Sequence, residues 1–282
     1  MNRKSIPILY EDDDVLVINK PAGLVVHSDG RTKEPTLVEW ILKKYPKIKG
    51  VGDKIEDLGF KIKERKDDRF TDNLHLKSDN LERSGIVHRL DRETSGALII
   101  AKNQDAFYFL KHQFKKQEVR KTYHAFVYGR VKNDDGLIDR PIARSRTNPV
   151  LWSATRGRKG EDREAITEYR VLGRLILPYQ GEHLASSPRR GVHESDTAFT
   201  FLELYPRTGR THQLRVHLKA INYPIVADKL YAPNRETALG FKRLALHSRL
   251  ISFLLPNGKR MSVEAPYPKD FEGALKIFGK HQ

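Results

Sequence analysis

The chain has 282 residues, with 52 Lys and Arg against 36 Asp and Glu, for a formal net charge of +16. A surplus of that size implies a polyanionic partner, because its field concentrates nucleic acid and Lys and Arg supply most non-specific affinity through phosphate contacts. Cysteine is absent, which excludes disulfides, thiolate metal clusters, enzymes that attack uracil through a cysteine adduct, and zinc deaminases with paired cysteine ligands.

The eleven histidines show no HExxH or similar ligand spacing, so no metal site is expected. No apolar run reaches the roughly 18 residues of a membrane span, and Met1 to Asp14 lacks a signal-peptide core. The reading is a soluble cytoplasmic protein with no membrane partner. This length suits one large domain or two small ones; a single domain over 1–282 is expected.

Along the chain, Val15 to Ile18 makes a short buried-strand pattern that stops at the turn signal Pro21-Ala22-Gly23, and Leu24 to Val26 resumes it. Thr36 is a candidate cap for a short helix containing Leu37, Trp40, Ile41 and Leu42. The stretch 53–83 is polar and aperiodic and reads as an inserted loop. Ala97 to Ala101 is a compact apolar strand, after which Phe107, Leu110 and Phe114 recur at helical spacing. Lys121 to Val131 alternates, with Tyr123, Ala125, Val127 and Gly129 on one face and Thr122, His124, Phe126 and Tyr128 on the other. Asn133 to Gly136 marks a turn, and 177–196, which contains Pro178, Pro188 and Gly191, reads as a second inserted loop. Phe199 to Tyr205 alternates as a strand. Residues 211–221, if helical, carry Leu214, Leu218 and Ile221 on one face and His212, Arg215 and Lys219 on another. Arg249 to Leu255 and Arg260 to Glu264 flank Asn257-Gly258, a hairpin signal. Strands outnumber helices and include hairpins, so the fold class is α+β, with a mainly antiparallel or mixed central sheet flanked by helices and loops.

Two clusters carry chemistry. His88-Arg89-Leu90-Asp91-Arg92-Glu93-Thr94-Ser95-Gly96 sets a carboxylate between two cations, and a nearby opposite charge favours the ionised form of a carboxylate. A solvated surface charge cluster is the plain alternative. Gly209-Arg210-Thr211-His212-Gln213-Leu214-Arg215-Val216-His217 offers a cationic helix face; its alternative is an amphipathic surface helix. Cations also gather at Lys111, Lys115, Lys116, Arg120 and Lys121, and again from Arg140 to Arg163. GxGxxG and GxxxxGK are missing, so no nucleotide cofactor is expected.

In order along the chain, the His88-Arg89-Leu90-Asp91 motif with Thr94-Ser95-Gly96, then Lys121-x-Tyr123-x-Ala125-x-Val127-x-Gly129, then Gly209 to His217, then Leu246-His247 resemble the successive motifs of the RluA family of pseudouridine synthases. Tyr10 to Gly23 also resembles the start of that family's catalytic domain. With that start so near the N-terminus, the expectation is a catalytic domain without the S4-type RNA-binding domain of many relatives. The stretches near 53–83 and 177–196 depart from the family pattern; either they grip a particular RNA element and bear on substrate choice, or they are inert insertions.

The resemblance implies the pseudouridine synthase catalytic fold and isomerisation of uridine in ribosomal RNA or transfer RNA to its C-glycoside, without metal or cofactor, by a monomer. It implies that Asp91 is the catalytic carboxylate, acting by attack on C1′, by attack on C6, or by removal of the 2′ proton. Arg215 would pair with Asp91 and orient it. Tyr123 would stack on the uracil near C5, where a proton leaves. Arg89 would fill the space of the extruded uridine, Lys121 would hold the backbone, Leu246 would pack on the base, and His88 and Arg92 would border the substrate. His88, His212, His217 and His247 are expected to support by hydrogen bonds or packing. Two other classes compete. A silent RNA-binding or ribosome-assembly protein fits the charge but not the set of Asp91, Tyr123 and Arg215; a nuclease would want a metal or a histidine pair.

Overall fold

The computed structural model describes residues 6–27, 34–53, 84–148, 150–155, 158–177 and 198–280. Except for Asp53 and Leu177, the stretches expected as inserted loops lie outside the described residues.

Among the described residues the strands are β1 (Ile8–Glu11), β2 (Val15–Lys20), β3 (Ser95–Ala101), β4 (Arg120–Tyr128), β5 (Asp135–Asp139), β6 (Ile142–Ser145), β7 (Trp152–Ser153), β8 (Arg158–Arg163), β9 (Ile166–Ile176), β10 (Ala198–Pro206), β11 (Leu246–Leu254) and β12 (Arg260–Glu264). The helices are α1 (Leu37–Lys44), α2 (Gln104–Lys115), α3 (Gln213–Ala220) and α4 (Lys269–Lys280), with a 3-10 turn at Pro46–Ile48. They sort into two compact units that interleave along the chain. The first draws on Met1–Arg92, Gly96–Val119 and Ile251–Ala265, the second on Glu93–Ser95, Arg120–Leu250 and Pro266–Gln282.

In the first unit, β2 pairs antiparallel with β1 and with β3, Val15 opposite Ala101 and Lys20 opposite Gly96. β3 is buried along its whole length, and a strand covered on both faces reads as a continuous apolar run rather than an alternating one. Both helices begin at the capping residues that local chemistry favours. Thr36 Oγ1 accepts from Glu39 N at 3.2 Å, and Asn103 Oδ1 accepts from Ala106 N at 2.9 Å. Gln113 of α2 exchanges two hydrogen bonds with the backbone of Leu254, 2.9 and 2.8 Å. β12 returns along β11 through a turn in which Gly258 has φ +81°.

The strand expected to resume at Leu24 does not form; Val25 makes only an isolated bridge to Thr36. The cause is Lys20, which is fully buried and donates from Nζ to the carbonyls of Pro21 (3.0 Å), Leu24 (2.9 Å) and Arg92 (3.1 Å). An ammonium has three donors and demands three acceptors when buried. The backbone therefore wraps around it instead of presenting carbonyls to a neighbouring strand.

In the second unit, the order β4-β10-β9-β5 is antiparallel throughout. A smaller sheet places β6 between β7 and β8. The alternation read along β4 holds, but both faces are buried. On one, Phe126 stacks on Phe201 at 4.5 Å and meets Phe271 and Phe278 of α4; on the other, Ala125 and Val127 are fully covered. The turn expected over Asn133 to Gly136 is shorter, because Asp135 and Gly136 already pair with Arg170 and Tyr169 in β5. A Cβ on Gly136 would stand 2.6 Å from the Tyr169 hydroxyl, so a larger residue there would have to displace that ring.

α3 departs most from expectation. It starts at Gln213 and ends at Ala220, and Gln213 to Leu218 are all buried, so of the supposed cationic face Arg215 is internal, Lys219 is exposed, and half-buried His212 precedes the helix as its N-cap. Ile221 lies beyond the helix as its C-cap.

Candidate functional site

In the first unit the segment from Ser84 to Arg92 carries four of the expected site residues and is tied at both ends. Gly85 has φ +78°, and a Cβ on it would stand 2.1 Å from the Ala101 carbonyl oxygen, so only glycine lets the chain pass this close to β3. His88 Nε2 accepts from Ile99 N at 2.8 Å and the ring stacks on Phe114 at 4.7 Å. That bond places the proton of the neutral ring on Nδ1. At the other end the Arg92 carbonyl accepts from Gly23 N at 2.8 Å and from buried Lys20. Between these anchors Arg89 is exposed and Asp91 half-buried. Arg92 points outward and pairs with Glu34 at 2.6 Å, both about half exposed, a contact of small energetic weight.

The second unit holds Lys121, Tyr123, Arg215 and Leu246. Tyr123 is buried within β4 opposite Leu204 of β10, and Leu246 is buried at the start of β11. Lys121 Nζ lies 3.4 Å from the carbonyl of Thr208, where the Gly209 to His217 motif begins. Burial disfavours its charge and pulls its pKa down to about 8.

Arg215 is paired inside its own unit. Its Nε donates to Asp228 Oδ2 at 2.8 Å and its Nη2 to Oδ1 at 2.7 Å, with both side chains buried. Asp228 Oδ1 also accepts from the backbone N–H of Leu230 (3.0 Å) and Tyr231 (3.1 Å). That turn brings the Tyr231 ring to 5.0 Å from the guanidinium carbon. The Tyr231 hydroxyl accepts from Trp152 N at 3.1 Å and meets His212 Nδ1 at 2.9 Å. The guanidinium is thus held along one edge by a carboxylate and across one face by an aromatic ring.

Behind it, a polar chain fixes α3. Thr208 Oγ1 donates to Gln213 Oε1 at 2.7 Å, Gln213 Nε2 donates to Thr167 Oγ1 at 3.1 Å, Thr167 Oγ1 lies 2.9 Å from His217 Nδ1, and His217 Nε2 lies 2.9 Å from the Arg140 carbonyl. His217 is fully buried, and burial lowers its pKa. His247 Nδ1 meets Ser95 Oγ at 2.9 Å.

Sequence reading missed Lys20, Asp228 and Tyr231. The signals available were weak ones: a lysine inside an apolar strand, and an aspartate preceding two backbone N–H groups that it can cap.

Among the described residues no helix is long and apolar enough to cross a membrane. Comparison with known proteins gives a consistent picture. Residues 14–220 match the family model described as RNA pseudouridylate synthase, a span that includes Asp91, Tyr123 and Arg215. A ribosomal large subunit pseudouridine synthase D of Borreliella burgdorferi is 33% identical over 275 residues, covering 98% of this chain and 69% of that protein. An uncharacterized RNA pseudouridine synthase of Bacillus subtilis, YlyB, is 32% identical over 277 residues, covering 98% and 74%. Among solved structures, human RNA pseudouridylate synthase domain containing 1 has the same fold, with TM-score 0.65 and 23% identity over 95% of this chain and 87% of that one.

Proposed function

The chain belongs to the RNA pseudouridylate synthase family, and from that premise we propose that its substrate is ribosomal RNA and that Asp91 is the carboxylate on which the isomerisation turns. The family assignment makes it an RNA isomerase. The reaction breaks the N1–C1′ bond of a uridine, rotates the uracil and joins C5 to C1′; C5 gives up its proton and N1 takes one up, so substrate and product are isomers and no outside reductant or energy source enters. The ribosomal substrate follows the printed name of relatives such as the Borreliella burgdorferi protein.

The observation that carries the assignment of Asp91 is the clamped segment around it. His88 is tied to Ile99 and the Arg92 carbonyl to Lys20 and Gly23, so a half-buried carboxylate is presented on a stretch anchored on both sides. Preorganised charge of this kind acts without reorganisation at the moment of reaction. Attack on C1′, attack on C6 and removal of the 2′ proton all require the ionised form. Tyr123 stacks on the uracil near C5, Arg215 balances the negative charge of the reacting groups, Leu246 packs on the base, and Lys121 binds the RNA backbone. Arg89, exposed beside Asp91, enters the space left by the extruded nucleotide. The protein works as a cytoplasmic monomer without a nucleotide cofactor.

The test is an assay of pseudouridine in uridine-labelled ribosomal RNA and transfer RNA. The parent forms product in ribosomal RNA, with or without EDTA; Asp91→Asn forms none while still binding RNA. Product from Asp91→Asn at the parent rate overturns the role of Asp91, and product confined to transfer RNA overturns the substrate.

A further inference from the structure

Two cavities of the second unit take no part in the reaction described above. The first, about 750 Å³, is walled by Ser145 at the end of β6, by Arg146 and Thr147 after it, by Trp152 of β7, and by Lys219 and Tyr231. The second, about 560 Å³, lies beyond the end of β4 and is walled by Arg130, Lys132, Arg174, Tyr223 and Arg235. Asn222, just past α3, lines both, so the cavities adjoin. Tyr231 lines the first and also lies against Arg215.

Their chemistry is one-sided. Among the described residues that line them there are two cations in the first cavity and four in the second, and no Asp or Glu in either, although the chain carries 36 acids. Arg174 already meets Asp134 at 2.7 Å at the edge. Hydroxyls pair along the first wall, Ser145 with Thr147 at 3.2 Å and Ser153 with Thr155 at 3.1 Å, offering donors and acceptors of ribose and phosphate type. Sites for small ligands are mostly apolar, with a few polar groups. Cations lining a path together with partly exposed aromatic side chains, here Trp152 in the first cavity and Tyr223 in the second, are what single-stranded nucleic acid requires.

We propose that these adjoining cavities form a track for the sugar–phosphate backbone of unpaired RNA flanking the reacting uridine. The proposal rests on the assignment of the protein as an RNA isomerase, but its test reads binding rather than product. Binding of a transcribed large-subunit ribosomal RNA fragment is measured by filter retention across a KCl series for the full chain, in the parent and in Asp91→Asn. Arg146→Gln with Lys219→Gln, and separately Arg130→Gln with Lys132→Gln, are compared with Lys47→Gln and Lys49→Gln, which remove the same charge from exposed positions of the first unit.

Each phosphate contact to a single strand contributes about 0.7 to the slope of log affinity against log salt, so each track pair lowers the slope by about 1.4 and the control pair leaves it unchanged. Circular dichroism confirms that the variants are folded. Equal slope changes for track and control pairs overturn the track, since they show only the overall field; no slope change for either track pair overturns it as well. Slope changes confined to the track pairs in a protein that forms no pseudouridine uphold the track and defeat the assignment of function, so the two fail separately.

Discussion

Arg215 meets Asp228 through two hydrogen bonds, 2.8 and 2.7 Å, with the carboxylate wholly excluded from solvent. Buried pairs of this kind add little net stability compared with apolar residues of the same shape, because both ions give up their hydration. Breaking one is another matter, since the remaining charge is stranded. Asp228→Asn is therefore expected to cost about 3 kcal/mol in urea unfolding. Arg215→Met combined with Asp228→Asn recovers most of that loss, because the amide oxygen still caps Leu230 and Tyr231 and both charges of this pair are removed together. The double variant stays inactive. Recovered activity in it would show that the guanidinium has no part in the reaction.

Lys121 has its pKa drawn down to about 8 by burial. RNA affinity is expected to fall between about pH 7 and pH 9 as this charge is lost, well below the range of an ordinary lysine. Lys121→Arg keeps its charge and removes the fall, as binding isotherms at several pH values will show. The unfolded chain holds this proton up to the ordinary lysine value, so above pH 8 the folded state has bound fewer protons and stability rises with pH.

His217 is held neutral by burial, with its pKa below the usual imidazole value. Below that usual value the unfolded chain takes up a proton that the folded one resists, so stability is lost on acidification. His217→Gln is expected to flatten the decline in urea midpoint between pH 7 and pH 5, whatever its effect at pH 7. An identical decline in the variant would place the acid sensitivity elsewhere.

Arg89 is exposed on the clamped segment, so Arg89→Ala is expected to change stability by no more than about 0.5 kcal/mol. If it fills the space of the flipped nucleotide, kcat/KM on folded RNA drops by about tenfold, equivalent to about 1.4 kcal/mol. An unchanged rate on folded RNA removes that role.

Much of the local architecture was legible in the residues alone. The apolar runs at Val15 to Ile18 and Ala97 to Ala101, the alternation along β4, the cap Thr36, and the Asn257-Gly258 turn are set by backbone dihedral preferences and side-chain periodicity, which act over a few neighbouring residues. The order of the motifs likewise placed the chain in its family before any geometry was known.

What the tertiary structure decided are the partnerships of buried charges and polar groups. Asp228 lies 13 residues from Arg215 with no periodic pattern linking them, and the Arg92 carbonyl lies 72 residues from the ammonium of Lys20. The same holds for α3, whose polar side chains resemble a solvated face until β9 and the Arg140 segment are packed against them. A buried polar group must find a partner, but which one depends on where the chain returns in space, and that is fixed only when the whole fold closes.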